Sequence, residues 1–259
     1  MSQVLLYHKV TNFDVSGTWV TPGQFEQQIK YLYDHNYTPI LPHELLNNRG
    51  KAHPQLKKSV LITFDDGYAS FYFRVLPVLL RYKFSALVFV VTGYIGKKNC
   101  WDVNFGTMER HLNLKELQEL KRYGFIIGSH TRTHPNLTKI SFQRAKEEIL
   151  NSKLELEDKL GDVVQFLSFP FGRYNNQTLE LALEAGYKLT FTSNPLVNQS
   201  SVVGRMGIYI IDQLSQFKAK LHQNSFFHLA EARKAQLINF FSHGTWMWKT
   251  LNPLTKHSI

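Results

Sequence analysis

The stretch Ser59-Val60-Leu61-Ile62-Thr63-Phe64-Asp65-Asp66-Gly67 sets five apolar or β-branched residues directly ahead of two carboxylates and a glycine. A short run of that kind reads as a strand buried on both faces, and such strands belong to parallel sheets covered by helices. Similar runs recur at residues 4–7, 86–91, 125–128, 165–169 and 188–192. Between them lie segments with helical spacing, at 22–35, 68–82, 114–123, 142–160 and 176–185, several opened by a polar cap and closed by Gly124, Gly161 or Gly186. This alternation predicts an α/β fold built on a parallel sheet. Asp65 and Asp66 then stand at the end of a parallel strand, where α/β folds gather their reactive groups.

Adjacent residues at a strand end point in different directions. One carboxylate can therefore ligate a metal while its neighbour faces the water that the metal polarises. Asp-Asp-Gly also ends strands for backbone reasons alone, so this stretch by itself leaves both readings open. A second feature bears on the choice. The predicted strand 125–128 runs into Ser129-His130-Thr131-Arg132-Thr133-His134, whose two histidines, four apart, are expected on one side of a helical turn. Two imidazoles and a carboxylate make a three-ligand set that leaves room for water and substrate, as catalytic metal sites do. Such donors suit zinc and also admit cobalt, nickel or iron.

Thr63-Phe-Asp-Asp-Gly67 and Ser129-His-Thr-Arg-Thr-His134 resemble the first two motifs of the polysaccharide deacetylase family, carbohydrate esterase family 4, with its NodB homology fold. The order and separation of the motifs run through roughly the first two hundred residues. The resemblance implies a distorted (β/α) barrel with a divalent metal, Asp65 as general base, and Asp66, His130 and His134 as ligands. The family's third motif places an arginine two residues before Pro-(Tyr/Phe)-Gly, and here Ser168-Phe-Pro-Phe-Gly172 has a serine in that place. The backbone N–H of Phe171 is still expected to face the developing oxyanion, since that contact does not depend on side-chain identity. Arg205, in Gly204-Arg-Met-Gly207, is the candidate substitute cation, with a surface position the alternative. Leu6-Tyr7-His8-Lys9-Val10 is similar to the start of the poly-N-acetylglucosamine deacetylase branch, which implies His8 as the acid that protonates the leaving amine. His243 is the weaker candidate for that role.

Trp101, Asp102 and Tyr174 are further substrate-side candidates, together with Arg205, although a core tryptophan and a tyrosine covering the barrel mouth are equally compatible with the pattern. The run 144–159 is rich in charge but carries Ile149, Leu154 and Leu156, and reads as an amphipathic cover helix with a solvated face. The 259 residues carry a formal net charge of +10, which favours anionic partners, but the basic residues are scattered and no nucleic-acid motif is present. Cys100 is the single cysteine, so no internal disulfide exists. The start, MSQVLLYHKV, lacks the pattern of a secretory signal, and the expectation is a cytoplasmic location. Residues 1–212 are expected to form the deacetylase barrel. Residues 213–259 form an aromatic and basic appendage, read either as a helix packed on the barrel or as an interfacial helix at an anionic membrane. The expected activity is metal-dependent release of acetate from an N-acetylated saccharide or a lipid- or nucleotide-linked sugar in surface-glycan synthesis. The rivals are a carbohydrate-binding protein on an impaired deacetylase scaffold, a deacylase of a non-sugar amide, and a peripheral membrane adaptor.

Overall fold

The computed structural model describes residues 3–14, 17–48, 58–99, 109–222 and 229–234. Its principal strands are β1 (Gln3–Tyr7), β2 (Ser59–Phe64), β3 (Ala86–Val90), β4 (Ile126–Ser129), β5 (Phe166–Ser168), β6 (Leu189–Thr192), β7 (Val202–Gly204) and β8 (Met206–Gly207). They pair in parallel in the order β7-β6-β5-β4-β3-β2-β1-β8. The two outermost strands are halves of one segment. Its first half pairs with β6 and its second half with β1, and the single residue at the changeover is Arg205. The sheet therefore curls into a nearly closed barrel, joined at its seam by one continuous piece of chain.

Period-two alternation sorts the strand side chains into two cores. Val4, Leu61, Leu87, Phe89, Phe166, Leu189, Phe191 and Val203 pack with one another as one cluster. Leu5, Tyr7, Val60, Ile62, Phe64, Ala86, Val88 and Leu167 belong to the other, which includes the helical layer. The first set fills the barrel interior, and the same parity carried two residues on from Leu61, Phe166 and Val203 reaches Thr63, Ser168 and Arg205. One step beyond Thr63 comes Asp65. The sequence thus delivers polar groups to the barrel mouth by continuing the apolar alternation beneath them.

The outer layer comprises α1 (Pro22–Asp34), α2 (Pro42–Asn48), α3 (Leu76–Arg81), α4 (Leu114–Arg122), α5 (Phe142–Leu160), α6 (Asn176–Glu184) and α7 (Leu214–Leu221). Reciprocal capping boxes open α1, α4 and α6 at Thr21, Asn113 and Asn175, and Gly161 ends α5 in the left-handed conformation. The helix expected over 68–82 is instead a β-bridge from Tyr68 to His111, a π-helical segment Phe71–Val75 and then α3. Pro77 has no N–H to give to the turn before it, and Leu76 donates to Phe71 in the wider register. In α5, Ile149 and Leu156 are buried as expected, but Leu154 faces solvent while Glu148, Ser152 and Lys153 are buried. Helices α2 and α7 were not among the segments anticipated from spacing.

The described part of the chain beyond residue 212 packs on the barrel. Phe217, Leu221 and Ala232 join the outer core, and buried Lys220 pairs with Asp212, with Lys234 3.5 Å from the same carboxylate. Among the described residues no helix is long and apolar enough to cross a membrane. The aromatic stretch 235–251, His243 and Cys100 lie outside the described residues.

Candidate active site

The site is assembled where β1, β2, β4 and β5 end. Asp65 continues the interior parity of β2, and its N–H donates to the Tyr7 carbonyl of β1 at 3.0 Å. Asp66 then leaves the strand conformation with φ 69°, followed by Gly67 at φ 66°. Aspartate tolerates this left-handed region better than most residues, and it turns the second carboxylate away from the first. At Gly67 both φ and space are decisive, because a Cβ there would lie 2.6 Å from Val90 Cγ1.

Both histidines come from the loop that follows β4. They do not lie on a helical turn. Thr131 and His134 both have positive φ, 66° and 59°, so the loop curls back on itself. Each such residue costs about 1–3 kcal/mol unless its surroundings hold it. The curl brings the rings to 4.7 Å between centroids. His130 Nε2 lies 3.5 Å and His134 Nε2 3.6 Å from Asp66 Oδ1. Ligands at about 2.1 Å from a tetrahedral metal are about 3.4 Å apart, so the three donors fit a divalent ion, and all lie within 4.8 Å of one another. His130 Nδ1 is 2.8 Å from the Ser168 carbonyl, which makes Nδ1 the protonated nitrogen and turns Nε2 inward as a lone-pair donor. Burial lowers the His130 pKa, with Asp65 and the Ser168 contact opposing, and this favours the neutral ring that ligation requires.

Asp65 belongs to a different network. Arg205 is fully buried and grips it with two parallel hydrogen bonds, Nη1 to Oδ1 at 2.7 Å and Nη2 to Oδ2 at 2.6 Å. The same guanidinium donates to Thr63 Oγ1, to Ser168 Oγ and to the Thr192 carbonyl. It also stacks near Phe89 and Phe191, at 5.3 and 5.8 Å from the ring centroids. Ser168 Oγ donates in turn to Asp65 Oδ2 at 3.1 Å. Burial alone would push the Asp65 carboxyl up, but Arg205, aided by His130, holds it well below the usual carboxylate range. Two expectations for Arg205 are thereby corrected. It is not at the surface, and it stands behind Asp65 with no exposed face to offer a sugar.

His8 follows β1, and it interacts electrostatically with Asp65, Arg205 and His130. The residue is half-buried, and its Nδ1 is buried with no hydrogen-bond partner among the described residues. Burial lowers its pKa to about 4, Asp65 opposing and Arg205, His130 and Lys9 reinforcing, so the ring is uncharged at neutral pH. Phe171 sits in the left-handed region at φ 59° in the turn after β5, its ring 4.8 Å from that of His134. Tyr174 stacks on Phe169 at 5.2 Å and is half-buried. Trp101 and Asp102 lie outside the described residues.

The family profile described as polysaccharide deacetylase matches residues 52–190, a little over half of the chain. The chain belongs to the polysaccharide deacetylase family. YxkH of Bacillus subtilis (strain 168), named for the same family, is 31% identical over 192 residues, covering 74% of this chain and 64% of the relative. A poly-β-1,6-N-acetyl-D-glucosamine N-deacetylase of Staphylococcus aureus (strain MRSA252) is 27% identical over 196 residues, 72% of this chain and 65% of its own length. The chain thus spans just under two thirds of these relatives. Among solved structures, the Streptococcus pyogenes deacetylase PplD in complex with acetate aligns with a TM-score of 0.71 at 28% identity, covering 80% of this chain and 92% of PplD.

In this member of the polysaccharide deacetylase family, two groups beside the site carried no signal in the sequence. His111 Nδ1 lies 2.9 Å from the Asp66 carbonyl, and its ring stacks on Tyr68 at 5.0 Å. It comes from the segment that folds back over the Asp-Asp-Gly turn, where Leu112 N–H donates to Gly67 O. Glu148 reaches the histidine loop from α5. Both depend on contacts between distant segments, which no local pattern announces.

Proposed function

We propose that this chain hydrolyses the N-acetyl group of an amino sugar in a glycan, releasing acetate, with a divalent metal, zinc by preference, held by Asp66, His130 and His134. The observation that carries the reading is the pairing of that donor trio with an ionised, buried Asp65 whose Oδ2 lies 3.8 Å from His130 Nε2. A metal bound there supplies Lewis acidity, lowering the pKa of water from about 15.7 towards 7 and polarising the amide carbonyl. The relatives support the substrate class, one being a poly-N-acetylglucosamine N-deacetylase and another having been solved with acetate, the product of such a cleavage.

Asp65 accepts the proton of the attacking water. Its lowered pKa makes it a weak base, which suits a water already acidified and poorly suits an ordinary one. Arg205 keeps the carboxylate aimed and charged. The Phe171 N–H is assigned to the oxyanion that forms on the former carbonyl oxygen. His8, uncharged in the resting protein, gains basicity as negative charge develops beside it, takes up the proton that Asp65 removed from the water, and passes it to the departing amine, so that both side chains end as they began. The carbohydrate-binding alternative drew its motive from the missing third-motif arginine, and the cation supplied by Arg205 removes that motive.

The test is acetate release from N-acetylated oligosaccharides and from lipid- and nucleotide-linked N-acetyl sugars. Metal-loaded wild type should release acetate, chelated protein should not, and Asp65→Asn should bind zinc while losing at least about 10²-fold in turnover. Asp66→Ala should lose activity by losing the metal. Undiminished turnover in Asp65→Asn would take the base role from it.

A further inference from the structure

We infer that Glu148 is a positioning residue for the candidate metal site, setting its geometry through the backbone of the histidine loop. The inference rests on the metal-site reading above. Glu148 lies on α5 and is 6% exposed, an unusual place for a carboxylate on a helix where it is the one buried acidic residue. Its Oε2 accepts the N–H of Arg132 at 2.9 Å and of Thr133 at 2.8 Å, and its Oε1 accepts the Thr133 hydroxyl. These are the residues between His130 and His134. From the other side, the N–H groups of Thr92 and Gly93 donate to the carbonyls of Thr131 and Arg132 at 3.1 and 2.9 Å.

The loop is thus clamped through its peptide groups on both edges, its amides by a side chain from α5 and its carbonyls by the backbone after β3. The clamp explains how two non-glycine residues, Thr131 and His134, are kept at positive φ. Without an acceptor for these two adjacent amides, the loop would relax towards an ordinary backbone conformation and swing the His134 ring away from Asp66. Glu148 therefore acts on the metal through His134 and touches neither metal nor substrate.

The measurement is zinc affinity of the full-length, chelator-stripped protein by competition with a chromophoric chelator, alongside the visible spectrum of the cobalt(II) form and the urea midpoint of the metal-free form. Glu148→Ala should weaken zinc binding by about 10–100-fold and alter the cobalt spectrum while the metal-free protein still unfolds cooperatively. Glu148→Gln keeps a carbonyl oxygen able to accept both amides and should stay close to wild type. A folded Glu148→Ala with wild-type zinc affinity overturns the inference, and so does a Glu148→Gln that loses as much affinity as the alanine variant. If Glu148→Ala does not fold, Glu148→Asp decides, since its carboxylate falls one methylene short. Weakened zinc binding then supports the role and wild-type affinity refutes it. A wild-type protein that binds no zinc removes the metal-site reading itself, and this inference with it.

Discussion

Arg205 and Asp65 form a buried ion pair in which every guanidinium nitrogen has an acceptor. Breaking such a pair by removing one partner is costly because the other charge stays behind in a dry interior, typically about 3–5 kcal/mol. Arg205→Leu should therefore lower the unfolding free energy, extrapolated from urea titration, by an amount in that range. It should also raise the Asp65 pKa and shift the acid limb of kcat/KM to higher pH. An unshifted limb in a folded variant would show that Asp65 does not govern it. The imidazoles give a second dependence on pH. His111 and His8 are lowered to about 4 by burial, against about 6.5 in an unfolded chain. Between those values the unfolded state binds more protons, so the stability that these rings contribute is present above about pH 6.5 and is lost as pH falls towards 4. For His111 the loss amounts to roughly 3 kcal/mol. Metal-free protein followed by urea unfolding at pH 7, 6 and 5 should show a falling midpoint, and His111→Gln should flatten the trend.

At the scale of elements, the strands from β1 to β6 and four of the five anticipated helices were legible because each carries an apolar period or a cap that is local in sequence, whereas the segment 68–82 is broken by a π-helical stretch ahead of α3. The seam was not legible. β7 and β8 are three and two residues long, too short for any alternation to be read, and their pairing partners lie at opposite ends of the chain order. For the same reason Arg205 could be offered only as a candidate cation, and the serine at 168 stood as a gap until the seam brought the guanidinium to it. The histidine spacing singled out two residues that the structure brings beside Asp66, but it implied the wrong backbone conformation, since a four-residue separation serves an α-turn and a left-handed curl equally well. Glycine at 67 was legible as a turn, but its contact with Val90 of β3 was not. Gly67→Ala should cost about 1–3 kcal/mol in stability from positive φ alone, and should depress activity further because Asp66 is the adjoining residue. Wild-type kcat in that variant would mean that the turn tolerates a Cβ without moving Asp66.

At the scale of the whole molecule, an ion held as proposed by the donor trio would tie β2 to the loop behind β4. A ligand that binds only the folded state stabilises it by mass action, about 2.7 kcal/mol at one hundred times its Kd. For a chain of this size that corresponds to a rise in Tm of roughly 5–10 °C. Zinc should produce such a rise in wild type, a chelator should reverse it, and Asp66→Ala should abolish it. Equal shifts in both proteins would place the ion elsewhere. The barrel's seam has a consequence for how the molecule comes into being. Asp65 is synthesised long before the residue that neutralises it, and the guanidinium reaches the carboxylate only when the last strand slots between β6 and β1. On the proposed reading, a nascent chain lacking that strand would hold the other candidate groups of the site without the guanidinium that charges and aims Asp65. The final joint of the scaffold is thus what completes the surroundings of Asp65, and a copy clipped before it would lack the cation.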